Sequence, residues 1–171
     1  MNLTPLFLTL ALLVVSIGVF LALAVRANAR LKGQYPPIGQ MIDIGGYRLH
    51  MHVEEEGSPT VIFDAGVGGI GLSWELVRPA IAKAARVVTY DRAGLGWSDP
   101  SPYPRDAVTM ALELHTMLTN ANIKAPDVLV GHSLGGVVAR HFAAKYPADA
   151  IRYLEEGHAQ GKVVLTVAQN N

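Results

Sequence analysis

Val128-Leu129-Val130-Gly131-His132-Ser133-Leu134-Gly135-Gly136-Val137-Val138-Ala139-Arg140 is the stretch on which the reading of this chain turns. The aliphatic run at its start reads as a buried strand, and the residues from Leu134 onward read as a helix. Between them lies the spacing G-x-S-x-G, with Gly131, His132, Ser133, Leu134 and Gly135 in order and Gly136 behind. A serine at a sharp strand-to-helix turn is held in strained backbone geometry, and glycines two residues to either side let neighbouring chain pass without a Cβ clash. The Ser133 hydroxyl is therefore expected to stand out above the sheet. The helix behind it turns its N-terminal N–H groups, and the positive end of its dipole, toward charge developing on a substrate oxygen.

Outward from that turn, the chain alternates strands and helices. Thr60–Asp64, Arg86–Asp91 and Asp127–Val130 are strand candidates, while Ser73–Ala85 and Ala107–Asn122 show helical spacing, with Leu76, Ile81, Leu112 and Leu118 expected inward. Such alternation implies a mostly parallel sheet covered on both faces, with its chemistry at the C-terminal strand ends. Each of the three strands runs into a glycine-bearing loop. Upstream, Gln40–Ile44 and Tyr47–Glu54 flank Gly45-Gly46, a glycine pair suited to a hairpin turn. On the second of these strands Arg48, His50 and His52 share a face, which reads as a solvated strand face, since no third metal ligand lies at useful spacing.

These pieces together resemble the α/β-hydrolase family from Tyr35 to Pro147. The matching stretches are the opening hairpin, Phe63-Asp64-Ala65-Gly66-Val67-Gly68-Gly69, Tyr90-Asp91-Arg92-Ala93-Gly94-Leu95-Gly96-Trp97-Ser98-Asp99, and Gly131-His132-Ser133-Leu134-Gly135-Gly136. The resemblance implies an α/β fold whose mostly parallel sheet is opened by a hairpin. It makes Ser133 the nucleophile and the backbone N–H groups of Leu134 and Val67 the oxyanion hole, with His132 part of the elbow and the Asp91–Asp99 loop a scaffold. Serine at the elbow, where relatives that open epoxides or displace halide carry a carboxylate, points to acyl transfer from a small ester, thioester or amide. No cofactor or metal is implied.

A rival motif shares the chain. Gly66-Val67-Gly68-Gly69-Ile70-Gly71 matches G-x-G-x-x-G after a strand, and Asp91 stands at the end of the next, so a dinucleotide-binding module through Gly66, Gly68 and Gly71 is one alternative. A non-catalytic, membrane-tethered binding protein that keeps the pocket is another. Composition narrows the field further: half of the 171 residues are hydrophobic, and 14 basic side chains balance 14 acidic ones, leaving no charge footprint for nucleic acid. Without cysteine there is no disulfide, thiolate nucleophile or Cys-ligated zinc.

Leu3 to Val25 is uncharged and long enough as a helix to cross a hydrocarbon core of about 30 Å. A cleaved signal peptide is the competing reading, favoured by Ala27-Asn28-Ala29, but the apolar run is long and no Lys or Arg precedes it. Residues 1–32 are thus expected to anchor the chain in a bilayer. Arg26, Arg30 and Lys32 behind the span place the C-terminal domain in the cytoplasm by the positive-inside bias. Residues 33–39, stiffened by Pro36-Pro37, form a linker. Residues 40–147 then form the N-terminal part of the hydrolase domain, and 148–171 an atypical tail.

In that tail, Ala150–Val167 resembles the end of medium-chain alcohol dehydrogenases, and the change of pattern after Pro147 reads as a fusion, deletion or frame change. The expectation is a truncated fold, impaired because the acid and histidine that the family takes from later segments are missing. Lys162–Val167 is expected to add beside Asp127–Val130 through a crossover, with His158 too far from Ser133 to serve as a base. His115 and His141 are assigned to packing or the surface.

Overall fold

A computed structural model describes residues 4–54, 56–123, 128–146 and 162–166. It divides into two units, residues 1–37 and 38–171. The first is one helix, α1 (Thr4–Gln34), whose apolar part, Thr4–Leu31, carries an 18-residue window of mean hydropathy 2.8 and is exposed along its length. By length and composition it suffices to cross a membrane, a test that a signal sequence also passes. The helix continues through residues 33 and 34, so the expected linker begins only at Tyr35, immediately before two prolines that cannot extend it.

The second unit is built on one mixed sheet. Its strands are β1 (Gln40–Asp43), β2 (Arg48–Glu54), β3 (Thr60–Asp64), β4 (Arg86–Tyr90), β5 (Val128–His132) and β6 (Lys162–Thr166), in the spatial order β1-β2-β4-β3-β5-β6. The β1–β2 hairpin closes as expected on Gly45 and Gly46, at φ of 106° and 99°, while the Asp43 carboxylate accepts from both of their N–H groups. β2 lies antiparallel to β4, and β3 is parallel to both β4 and β5. The three parallel strands therefore end on the same side, where the glycine loops gather.

Both faces of the sheet are covered. Two short helical pieces lie between β3 and β4, a 3₁₀ turn at Gly71–Trp74 and α2 (Arg78–Ile81). On one face, α3 (Ala107–Asn120) and α4 (Leu134–Lys145) pack Met110, Leu114, Met117, Val138 and Phe142 against Leu49, Met51, Ile62 and Val88. Asp106 caps α3 by accepting from the Thr109 N–H at 2.8 Å. On the other face, Trp74 and Ile81 cover Val61, Phe63 and Val87.

Three expectations are corrected by these elements. The helix read over Ser73–Ala85 is broken into the 3₁₀ turn and α2. Pro79 fits only the first turn of a helix, so it starts a new one in place of continuing an old one. Leu76, expected inward, sits between the two pieces and is 97% exposed. Leu112 is also exposed, whereas Leu118 is buried. Finally, β6 does add beside β5, but antiparallel, with Lys162 opposite His132 and Thr166 opposite Val128. A crossover would have made it parallel. His158 and most of the alcohol-dehydrogenase-like stretch lie outside the described residues.

Candidate active site

Ser133 is the residue between β5 and α4, and its backbone sits at φ 54° and ψ −115°. Positive φ of this kind is strained for any residue with a Cβ. What enforces it is close packing of the chain on either side. A Cβ on Gly131 would come within 2.5 Å of the Gly135 backbone, and one on Gly135 within 2.3 Å of the Asp64 carbonyl oxygen. Both G-x-S-x-G glycines are thus required by contact: the first lets α4 begin against its own strand, the second lets it lie on the end of β3. The turn closes with Gly136 N–H donating to the Ser133 carbonyl at 2.9 Å. As expected, Ser133 faces outward, exposed, with His132 exposed beside it.

The loop after β3 comes up against this elbow. A Cβ on Gly66 would lie 2.9 Å from His132 Nδ1 and 3.5 Å from the Ser133 Cβ. Gly66 to Gly69 form a tight turn, Gly69 N–H donating to the Gly66 carbonyl at 3.1 Å and Gly68 taking φ 69°. Val67 projects from its tip, 79% exposed. Ser133, His132, Val67, Trp74 and Val77 line one open cavity of about 570 Å³, within the size range of small-molecule sites.

The Asp91–Asp99 loop holds that turn in place. Arg92, buried, donates to the Asp64 carboxylate, to the Ala65 carbonyl at 2.6 Å and to the Gly66 carbonyl. Asp91 is fully buried and accepts from the Gly71 N–H at 2.8 Å and the Trp97 N–H at 3.1 Å, with His50 Nδ1 3.0 Å away. Burial pushes the Asp91 carboxyl up, but the bonds from His50, Gly71 and Trp97 outweigh it and hold the group below its ordinary range. At Asp64 burial prevails over the pull of Arg92 and raises the carboxyl.

The scaffold reading of this loop stands, while that of the histidines on β2 does not. His50 is only 4% exposed and its ring lies 4.9 Å from that of Trp97, so Arg48, His50 and His52 do not form a solvated face. Alternation along β2 correctly puts them on one side, but the Asp91–Asp99 loop folds over it, and that packing is invisible to periodicity.

The same contacts weigh against the dinucleotide alternative. Gly66, Gly68 and Gly71 lead into a four-residue 3₁₀ turn, so no helix N-terminus is aimed at a phosphate. Asp91 is fully buried, bonded to Gly71, Trp97 and His50, so it is not presented to a ribose.

What the described residues do not bring to Ser133 is a base. Among them no histidine is hydrogen-bonded to its hydroxyl. His115 stacks on Tyr146 at 3.8 Å, and His141 is exposed on α4. The antiparallel register of β6 removes the strand-length separation expected between His158 and Ser133, because chain entering that strand at Lys162 arrives beside His132 and so at the Ser133 end. The position of His158 itself falls outside the described residues.

Comparison with known proteins agrees with this geometry. A family model described as the alpha/beta hydrolase fold matches residues 59–152. The chain is 42% identical over 106 residues to a probable transporter, efuK, of Hormonema carpetanum, covering 58% of this chain and 15% of that protein. It is 31% identical over 150 residues to the uncharacterized protein YbdG of Bacillus subtilis, covering 84% of this chain and 45% of YbdG. Among solved structures, the meta-cleavage product hydrolase CumD of Pseudomonas fluorescens superposes with a TM-score of 0.62 at 27% identity, over 69% of this chain and 44% of that one. The chain thus spans less than half the length of each of these proteins.

Proposed function

Since the chain belongs to the α/β-hydrolase fold family, we propose that it carries the nucleophile and oxyanion hole of a serine acyl hydrolase, held to a membrane by α1. The observation that carries this reading is the exposed Ser133 at φ 54°, ψ −115° over the cavity shared with the Val67 turn. In the proposed step the Ser133 Oγ adds to the carbonyl carbon of an ester, thioester or amide. The carbonyl oxygen takes up negative charge facing the backbone N–H groups of Leu134 and Val67. Collapse of this adduct releases the alcohol, thiol or amine and leaves an acyl-serine, which water then hydrolyses. Leu134 begins α4, so its N–H is among the unpaired donors of a helix start.

The serine has no hydrogen-bonded base among the described residues. In that state an oxyanion hole and binding alone sustain roughly 10³–10⁴-fold catalysis over water, about 10⁶ below a complete triad. This same observation favours a second reading, a membrane-tethered protein that binds in the cavity without turning over.

A fluorophosphonate probe on the full chain in detergent separates the two. Labelling at Ser133, slow but abolished in Ser133→Ala, supports the hydrolase reading. Absence of labelling at Ser133 in folded protein overturns it in favour of the binding protein.

A further inference from the structure

The segment that supplies Val67 and Val77 to the Ser133 cavity exposes several large apolar side chains. Within eleven residues of sequence, Val67, Leu72, Leu76 and Val77 are all exposed, Leu76 almost completely. They lie on one segment, the turn after β3 and the two short helical pieces behind it. The segment is well anchored from beneath: the Trp74 ring lies 4.7 Å from that of Phe63, and Arg78, buried, is paired with Glu54 and with Glu75 at 2.7 Å. Its exposed leucine is therefore not a loose end awaiting a core. Glu75, the acid on this segment, has its charge taken up by Arg78.

The patch also has a direction. Leu72 lines a small cleft together with Ile38, itself exposed and the first residue of the second unit. At its other end, Val67 and Val77 line the cavity of Ser133. His50, His52, Glu75 and Arg78 line the cleft that Leu72 shares with Ile38, and only residues 32–37 separate Ile38 from the apolar run Thr4–Leu31.

We propose that the rim of Val67, Leu72, Leu76 and Val77 docks in the surface of the bilayer that α1 crosses, a proposal that rests on the membrane reading of α1. Apolar side chains on a segment whose charges are internally paired enter the headgroup region favourably. The tether keeps the domain at that surface, so even weak insertion is populated. The Ser133 cavity then opens toward the lipid phase, and its substrates are acyl compounds dissolved in that phase.

The absence of native cysteine allows a direct test. Leu76→Cys in the full chain, labelled with an environment-sensitive nitrobenzoxadiazole and reconstituted in phosphatidylcholine vesicles, is compared with Val108→Cys on α3 and Leu13→Cys within α1. Quenching by nitroxide-bearing lipid several-fold stronger at position 76 than at 108 is the expected result, and Val77→Cys should repeat it. Quenching at 76 by aqueous iodide, as at 108, overturns the proposal, and so does shielding from both quenchers, the mark of another polypeptide over the patch. Lipid quenching at position 13 reports the span separately, so a failed anchor and a failed docking give different patterns. Fluorophosphonate labelling of Ser133 in the same vesicles reads the hydrolase proposal independently.

Discussion

A serine held at φ 54° and ψ −115° stores strain of about 1–3 kcal/mol. That strain gives a prediction which separates the backbone role of position 133 from its chemical one. Ser133→Gly should raise the melting temperature, by an amount corresponding to about 1 kcal/mol, because glycine accepts positive φ without penalty. Ser133→Ala keeps the Cβ and should leave stability nearly unchanged. Both abolish fluorophosphonate labelling, so thermal melts of the pair tell the two roles apart. Gly135→Ala should do the reverse: a methyl within 2.3 Å of the Asp64 carbonyl forces α4 off β3, destabilising by about 3 kcal/mol and misplacing the Ser133 hydroxyl. At Asp91 the expected signature is in pH. Its carboxyl is held below the ordinary value of 3.8 in the folded protein, so it contributes stability that is present above that value and lost as pH falls through the folded one. Asp91→Asn should therefore lower stability at neutral pH by about 2 kcal/mol and flatten the acid limb of a stability–pH curve measured by urea unfolding.

At the level of elements, the features legible in the sequence were those fixed by neighbours along the chain. The G-x-S-x-G turn is dictated within five residues, and its glycines do what their spacing says, Gly131 against Gly135 and Gly135 against Asp64. The hairpin at Gly45-Gly46 is equally local. Features decided by distant packing were not legible. His50 looks like a surface residue until the Asp91–Asp99 loop folds over it, and Leu76 fits an inward helical position until Pro79 breaks the helix at that point. The direction of β6 belongs with these, since alternation of residues is the same for either pairing. Its antiparallel register can be checked in the cysteine-free chain. Val128 and Thr166 are direct partners, so Val128→Cys with Thr166→Cys should oxidise to a disulfide, seen as a loss of two free thiols. Val128→Cys paired with Lys162→Cys should remain reduced. A reversed outcome would restore the parallel arrangement and put the start of β6 back at the far end from Ser133.

For the whole molecule the open physical question is whether α1 stays attached. Cleavage after Ala29 would leave residues 30 onward and remove nearly all of the apolar run Thr4–Leu31. One feature argues for retention. The apolar stretch is longer than the roughly 7–15 residues of a signal-peptide core. Arg26 and Arg30 behind the span favour keeping the second unit on the cytoplasmic side. The expected outcome is a membrane fraction that resists alkaline carbonate and yields an intact mass of 18.3 kDa. In inverted vesicles, which expose the cytoplasmic face, a cysteine at Val108 should react with a membrane-impermeant maleimide, and in right-side-out cells it should not. A mass short by the residues up to Ala29 would establish cleavage, and labelling in intact cells would reverse the orientation. Cleavage would release Ser133 and its apolar rim from the bilayer, so the docking of Leu76 would lose the tether that holds it there, whereas the elbow geometry, set inside the second unit, would be untouched.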